Sequence, residues 1–312
     1  MIATFTPNPS IDRTLEVDEF VRGGVIRANK FRLDPGGKGV NVARVLSSAG
    51  VPTLAIFPCG ADDLDFVHLL EAAGVPCKVV PISGRIRQNI SILEPEGVIT
   101  HLNEPGPRLS SAEVAALLET VSDAANGADW ICASGSLTPG QDAGLYNEVA
   151  RLARLHGCKV AVDTSGEPLK RAITGGVDLI KPNRHELEEA VGGEVTTVGD
   201  AIEAGLALHR AGSHAVLASL GSDGAILIEG GHASHAQARV DEVVSNVGAG
   251  DALLAGFLAA GGSGIAALAE GIAWAAAKIS LPGSQMPRSS QIERSLVRVS
   301  QEPDKSRKLK ED

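Results

Sequence analysis

The chain has 312 residues, 44% of them apolar, 21% charged and 3% aromatic, an ordinary globular mixture that excludes wholesale disorder. Its 28 basic and 38 acidic residues leave a formal charge of −10, a poor match to nucleic acid or an anionic membrane, and so few rings make no stacking platform for single strands. A small anionic substrate in a local cationic pocket stays compatible with that balance.

In chain order, residues 2–6 read as a first strand, and 39–49 as a helix whose Val40, Ala43, Val45 and Leu46 form an apolar stripe. Residues 53–57 give a strand and 64–73 a helix closed by Gly74. The rhythm returns with strands at 130–133, 159–162, 178–180 and 214–219, and helices at 145–155, 185–191 and 202–210. This alternation predicts an α/β fold, a mostly parallel sheet covered on both faces. Two stretches break it. Residues 15–33 are strand-like and helix-poor, and 78–102 hold short strands at 78–81, 89–93 and 98–102, with a turn at Glu96 and Gly97. Such inserted strands form either an edge hairpin or a lid over a site. The lid expected here is discontinuous, drawn from about 12–34 and 78–107 of one domain spanning 1–300, and the polar residues 301–312 are expected to fray.

Cys59, Cys77, Cys132 and Cys158 have no metal-knuckle or CxxC spacing and sit beside apolar residues, so all four are expected to be buried free thiols. Pro7, Asn8, Pro9 and Asp12 interrupt any early secretory run. Glu270 and Lys278 interrupt the apolar stretch 265–281, which reads as a buried helix rather than a membrane span. The expectation is a soluble, cytoplasmic protein.

Four segments are able to carry chemistry. Val247, Gly248, Ala249, Gly250 and Asp251 lead into an apolar helix, where unpaired amides and the helix dipole favour an anion. Asp251, in the first turn, is placed either to take a proton from a hydroxyl or to cap the helix. Gly36, Gly37, Lys38 and Gly39 open another helix without the spacing of a Walker A loop or of GxGxxG; Lys38 and Asn41 add polar reach. The segment 219–224 holds Ser219, Gly221, Asp223 and Gly224 after a strand and is either a phosphate loop or a plain turn. Asn183 and Glu186 have capping-box spacing, and the same oxygens suit water around a magnesium ion. Arg87 and Asn89, two apart on a strand, face one side. His232 and His235 lie in a short polar hairpin and read as exposed. No HExxH, GxSxG or zinc spacing occurs.

These motifs, in their order, resemble the phosphofructokinase B branch of the ribokinase-like sugar kinases. The likeness covers about residues 1–290 and rests on TPNPSID (6–12), GGKGVNVAR (36–44), RQN (87–89), SGSLTPG (134–140), DTSG (163–166), IKPNRHEL (180–187), SLGSDG (219–224) and VGAGDALLAGF (247–257). The resemblance implies a three-layer α/β/α domain with a small β lid, using ATP and Mg²⁺ to phosphorylate a sugar hydroxyl. It implies Asp251 as the base, with the amides of Gly248, Ala249 and Gly250 as an anion hole. It sets Asp12, Gly37, Lys38, Asn41 and Ser136 against the sugar, and gives Arg87, with Arg27 as a second candidate, to the phosphate the sugar already carries. ATP would lie along Lys181, Asn183, Ser219, Gly221, Asp223, Gly224 and Gly250, with Glu186 and Asn183 touching Mg²⁺ through water. A homodimer through the lid is a further implication.

The stretch 100–107, of the TxxNEPGP kind, the Lys38 of GGKG and the SLPG run at 280–283 are similar to 1-phosphofructokinases. They point to fructose 1-phosphate over fructose 6-phosphate or tagatose 6-phosphate. Thr138 and Ala252 depart from the family's usual Pro and hydroxyl residue. A non-catalytic sugar-phosphate sensor on the same fold is the rival of another class, disfavoured by the presence of Asp251 among its glycines. A nicotinamide dehydrogenase is disfavoured because the first strand runs into TPNPSID and not GxGxxG.

Overall fold

The structure, a computed structural model, describes residues 1–240 and 242–310, the side chain of Glu96 excepted. Along the chain come β1 (Ile2–Phe5), β2 (Ser10–Glu16), β3 (Lys30–Gly36), α1 (Lys38–Ser48), β4 (Thr53–Gly60), α2 (Leu64–Ala72), β5 (Cys77–Ile82), β6 (Arg87–Leu93), β7 (Ile99–Asn103) and α3 (Ser111–Ala125). There follow β8 (Trp130–Ser134), α4 (Leu145–Arg154), β9 (Lys159–Asp163), α5 (Gly166–Thr174), β10 (Leu179–Ile180), α6 (Arg184–Val191), α7 (Val198–Arg210) and β11 (Ala215–Ser219). The last elements are β12 (Ala225–Glu229), β13 (His232–Ala238), α8 (Ala249–Ala259), α9 (Gly264–Ile279) and β14 (Val297–Ser300).

The strands from β5 to β11 form a parallel run in the order β5-β4-β1-β8-β9-β10-β11. Beyond β11 the same sheet continues antiparallel through β12, β13 and β14. Alternation along each strand divides the core in two. On β8, Ile131 and Ala133 pack toward α3, α4 and α5, whereas Cys132 faces α1, α8 and α9. Both faces are therefore dry and helix-covered, as predicted, and every parallel strand delivers its C-terminal loop to one edge of the sheet. That edge is where open α/β sheets bind ligands.

The separate sheet, in the order β3-β2-β6-β7, has unlike faces. Its register places Ser10, Asp12, Asp34, Arg87, Asn89 and Asn103 on one side, and Leu15, Phe31, Leu33, Ile90 and Leu102 on the other. The segment 78–81, expected in the lid, belongs instead to β5 at the edge of the large sheet. Val80 and Ile82 bury there, and the crossover through α2 makes β4 and β5 an ordinary parallel pair. A short alternating strand reads the same in either setting.

Three further expectations change. His235, expected exposed, is buried, because β13 is covered by the chain end and its Nε2 lies 2.7 Å from the Asp223 carbonyl oxygen. Cys59, Cys132 and Cys158 are buried free thiols, but Cys77 is only half-buried. Finally, residues 301–310 do not fray. Residues 305–310 dock across the first turns of α6 and α7, with Leu309 buried in the core; residues 311 and 312 of the expected tail lie outside the described residues. No helix among the described residues is long and apolar enough to cross a membrane.

Candidate active site

α8 starts with Gly248 at a left-handed φ of +77° and no side-chain cap. The Ala249 amide donates to the Asn246 carbonyl at 3.3 Å. The amides of Gly248, Gly250 and Asp251 donate to no acceptor among the described residues. Of the three amides expected at this point, the flanking two are therefore the open ones, and a helix start in that state is a ready anion site. Lys181 reaches the same point, its Nζ 3.3 Å from where a side chain on Gly250 would begin.

α1 supplies the opposite wall. Its N-cap, Gly37, has φ +114°, and a side chain there would meet Thr6 Cγ2 at 2.8 Å, so only glycine fits the turn. Asn41, one turn on, donates to Asp251 Oδ2 at 2.9 Å. Asp251 itself is buried, and burial together with the charge of Asp163 raises its pKa to about 6, against the pull of Asn41, Lys38 and Lys181. It remains mostly ionised at neutral pH while being poised to accept a proton.

Asp163, at the C-terminal end of β9, is the electrostatic hub. Lys38 Nζ lies 2.7 Å from its Oδ1 and Lys181 Nζ 3.1 Å from its Oδ2. Burial pushes its pKa up, but the two ammonium groups outweigh burial and hold it below the usual carboxylate range. Lys38 also lies 3.5 Å from Glu186 Oε1. Burial disfavours the charged Lys38, yet Asp163, Glu186 and Asp251 together carry its pKa above that of a free lysine.

Asn183 and Glu186 form a reciprocal capping box at α6: the Asn183 amide donates to Glu186 Oε2 at 2.9 Å, and the Glu186 amide to Asn183 Oδ1 at 2.8 Å. Among the described residues no three side chains of metal-ligating type converge. The donor set therefore does not suit a protein-held magnesium. It suits one carried on phosphates and water, with Glu186 as the nearest carboxylate. Ser219 bridges to Asn183, and a tight turn at Gly221–Asp223 follows. Asp223, expected to meet ATP, has its carboxylate engaged elsewhere. Its two carboxylate oxygens accept from Arg307 Nη1 at 3.0 Å and from the Lys310 amide at 2.7 Å.

The polar face of the small sheet completes the cleft. Asp12 Oδ1 accepts from Ser10 Oγ at 2.7 Å and from Asn89 Nδ2 at 3.0 Å. Burial raises the Asp12 pKa, opposed by those bonds and by Arg87. Arg87 donates to the Glu104 carbonyl at 3.5 Å, and Glu104 accepts from the Gln88 amide at 2.8 Å, so the stretch 103–107 holds the arginine. Asn8 joins that stretch to the 134–140 loop by donating to Pro105 O and to Ser136 Oγ. Asn8 Oδ1, Arg87 Nε, Asn89 Oδ1 and Thr138 Oγ1 are buried without partners. Arg27 is exposed on the link from β2 to β3.

Sequence reasoning used Asp163 only as part of a landmark; its place directly after a buried strand was the available signal. Arg44 and Lys278 were missed. Arg44 Nη1 reaches the Asn41 side chain and its Nη2 the Ser284 carbonyl. Lys278 is wholly buried behind Gly248 and donates to the Gly283 carbonyl at 2.8 Å. A lysine in an apolar helix gives no sequence signal of such a position.

Residues 6–291 match the pfkB family of carbohydrate kinases, and the chain belongs to that family. It is 39% identical over 292 residues to a 1-phosphofructokinase of Haloferax volcanii, covering 92% of this chain and 93% of that protein. It is 37% identical over 300 residues to the ATP-dependent 6-phosphofructokinase isozyme 2 of Mycobacterium tuberculosis, covering 94% and 88%. Among solved structures, phosphofructokinase-2 from Escherichia coli in complex with fructose-6-phosphate matches with a TM-score of 0.85 at 30% identity, covering 95% of this chain and 98% of that one. The protein is a carbohydrate kinase, a phosphotransferase acting on an alcohol group.

Proposed function

We propose that this kinase transfers the γ-phosphoryl group of ATP to the free terminal hydroxyl of fructose 1-phosphate, giving fructose 1,6-bisphosphate. The observation that carries the chemistry is Asp251, raised in pKa and held by Asn41 beside the open amides of α8. The hydroxyl proton passes to Asp251 as the oxygen bonds to the γ-phosphorus and the bond to the β-phosphate oxygen breaks, leaving ADP. Phosphoryl transfer runs through a loose transition state, so the protein's work is positioning and charge stabilisation. The amides of Gly248 and Gly250 face the moving group, and Lys38 and Lys181 offset phosphate charge. Magnesium, borne by ATP, supplies further charge neutralisation; Glu186 and Asn183 would stand near it through water. Ser219, Gly221 and Gly224 line the nucleotide side.

Asp12, Asn41, Gly37, Lys38 and Ser136 serve the sugar, and Arg87 its resident phosphate. Fructose 1-phosphate is favoured because the 103–107 stretch that resembles 1-phosphofructokinases is bonded directly to Arg87. The outer apolar face of the lid, with Phe31 and Leu102 exposed, suits a second copy of the chain; a monomeric mass in solution would remove that expectation. A cytoplasmic home accords with the four free thiols.

A coupled ADP-release assay with fructose 1-phosphate, fructose 6-phosphate and tagatose 6-phosphate tests the assignment. Preference in kcat/KM for fructose 1-phosphate is expected. Turnover of a 6-phosphate alone would move the chain to the second reading, a 6-phosphofructokinase, which the Mycobacterium tuberculosis relative favours.

A further inference from the structure

The chain end is joined to the site by an unusual density of directed bonds. After β14, the Arg307 and Lys305 carbonyls accept from the Val198 and Gly199 amides at 2.9 Å each, and the Leu309 amide donates to the Thr196 carbonyl at 2.8 Å. Thr197 and Lys308 form an antiparallel bridge, and Leu309 is buried in the same core cluster as Leu187, Val195 and Val198. This fixes the segment on α7. From there it extends two arms. Arg184, the first residue of α6, donates to the Lys310 carbonyl at 3.0 Å. Asp223, in the turn after β11, is 2% exposed and is gripped by the Arg307 guanidinium and the Lys310 amide. The guanidinium also donates to Gln237 Oε1 at 3.0 Å and lies 3.1 Å from His235 Nε2.

The gripped turn is intrinsically soft. Gly221 and Gly224 have φ of +56° and +88°, and glycines lose more conformational freedom than other residues when ordered. The side chain that anchors it has both oxygens bonded to the chain end. We propose that residues 304–310 form a strap that sets the nucleotide-facing 219–224 loop through Asp223, making Arg307 and Asp223 positioning residues for ATP affinity. The proposal rests on the nucleotide assignment above. Its physical content is pre-organisation: a loop ordered in advance by the strap does not have to be ordered by the nucleotide. Because the strap holds the first residue of α6 as well, it ties the Asn183 and Glu186 capping box to the same support.

The test uses the full-length protein and Arg307→Ala. The expected result is a rise of roughly tenfold in KM for ATP and in the Kd for MgATP by calorimetry, with KM for fructose 1-phosphate within about twofold of the parent. Arg307→Lys, which keeps the charge but loses the fork to Asp223 and Gln237, is expected to lie between the two. A lower melting temperature with both KM values unchanged, or equal rises in both, would reduce the segment to a structural role and overturn the strap. Should Arg307→Ala not fold, an unchanged KM for ATP in Arg307→Lys overturns it instead. Calorimetry on the parent separates the two layers. Absent MgATP binding there would sink the nucleotide assignment and the strap with it, whereas binding in the parent and equal binding in the variants sinks the strap alone.

Discussion

The two halves of the cleft are finished to different degrees. On the lid side, Asn8, Arg87, Asn89 and Thr138 each leave a buried polar atom without a partner, and Asp12 pays for burial with a raised pKa. On the nucleotide side, Asn183 and Glu186 satisfy each other, and both oxygens of Asp223 are taken by the chain end. Buried polar groups are costly when unpaired, so the lid half carries the polar atoms that the proposed phosphosugar would satisfy. On the other side the side chains of Asn183, Glu186 and Asp223 are satisfied by the protein itself, and the open groups there are backbone amides of α8. Asp251 and Asp163 sit on the seam between them.

The largest effect is expected at that seam. Asp251→Asn keeps an acceptor for Asn41 but has no basicity. Turnover should fall by about 10²–10⁴-fold, the usual worth of a general base, while both substrates still bind. Retained turnover would remove Asp251 from the proton transfer. The same variant should be more stable at neutral pH. Ionising a carboxyl whose folded pKa is about 6 against an ordinary 3.8 costs about 3 kcal/mol above pH 6, and the amide escapes that cost.

Asp163→Asn strikes the same seam through its charge pairing. It leaves Lys181, which is 4% exposed, as a buried cation without its counter-ion. Removing one member of a buried pair typically costs about 3–5 kcal/mol, so a thermal melt should drop by roughly 10 °C. A melt unchanged within about 2 °C would mean that Asp163 is not the hub of the two lysines. Arg87→Ala strikes the open half. Charge-assisted bonds to a phosphate are worth roughly 1.5–3 kcal/mol. KM for fructose 1-phosphate should therefore rise about 10–100-fold and KM for ATP hardly move. Equal rises would assign Arg87 to folding of the lid.

The same contrast explains what the sequence made legible. Glycine-rich helix starts, the apolar strands of the parallel sheet and the shared side of Arg87 and Asn89 on β6 are local patterns, and each appears where its pattern predicts, whereas Asp12, which reads as a loop residue, lies within β2. Asp251, Lys38 and Asn41 meet as expected because their loops all leave one edge of one sheet. What was illegible is long-range pairing. Asp223 reads as a loop residue until Arg307, 84 positions later, is brought to it. Residues 301–310 look like a frayed end because polar composition is silent about partners. Strand 78–81 could not be assigned to a sheet by its alternation alone. Lys278 lies on the side of α9 that packs on α8, and only that packing reveals its burial.

The smallest effect, and the sharpest check on the seam, is the dependence on pH. Asp251 must be ionised to accept a proton, so kcat/KM should rise with pH, reach half its plateau near pH 6, and fall tenfold for each unit below that. Stability should move the other way. Because the folded protein holds the Asp251 proton more tightly than the unfolded chain, with a pKa of about 6 against 3.8, its contribution declines as pH rises from about 4 to 6 and is flat above. Asp163 has the opposite sign: its folded pKa is depressed, so its contribution is present above the unfolded value and disappears only as pH falls below it. The parent and Asp251→Asn compared from pH 4.5 to 8 isolate the first of these, since Asp163 is common to both. The gap between their melting temperatures should widen up to about pH 6 and then hold, over the window in which the parent's activity appears. A gap that does not vary with pH would show an Asp251 of ordinary acidity, and the open amides of α8 would then have to act without a poised base.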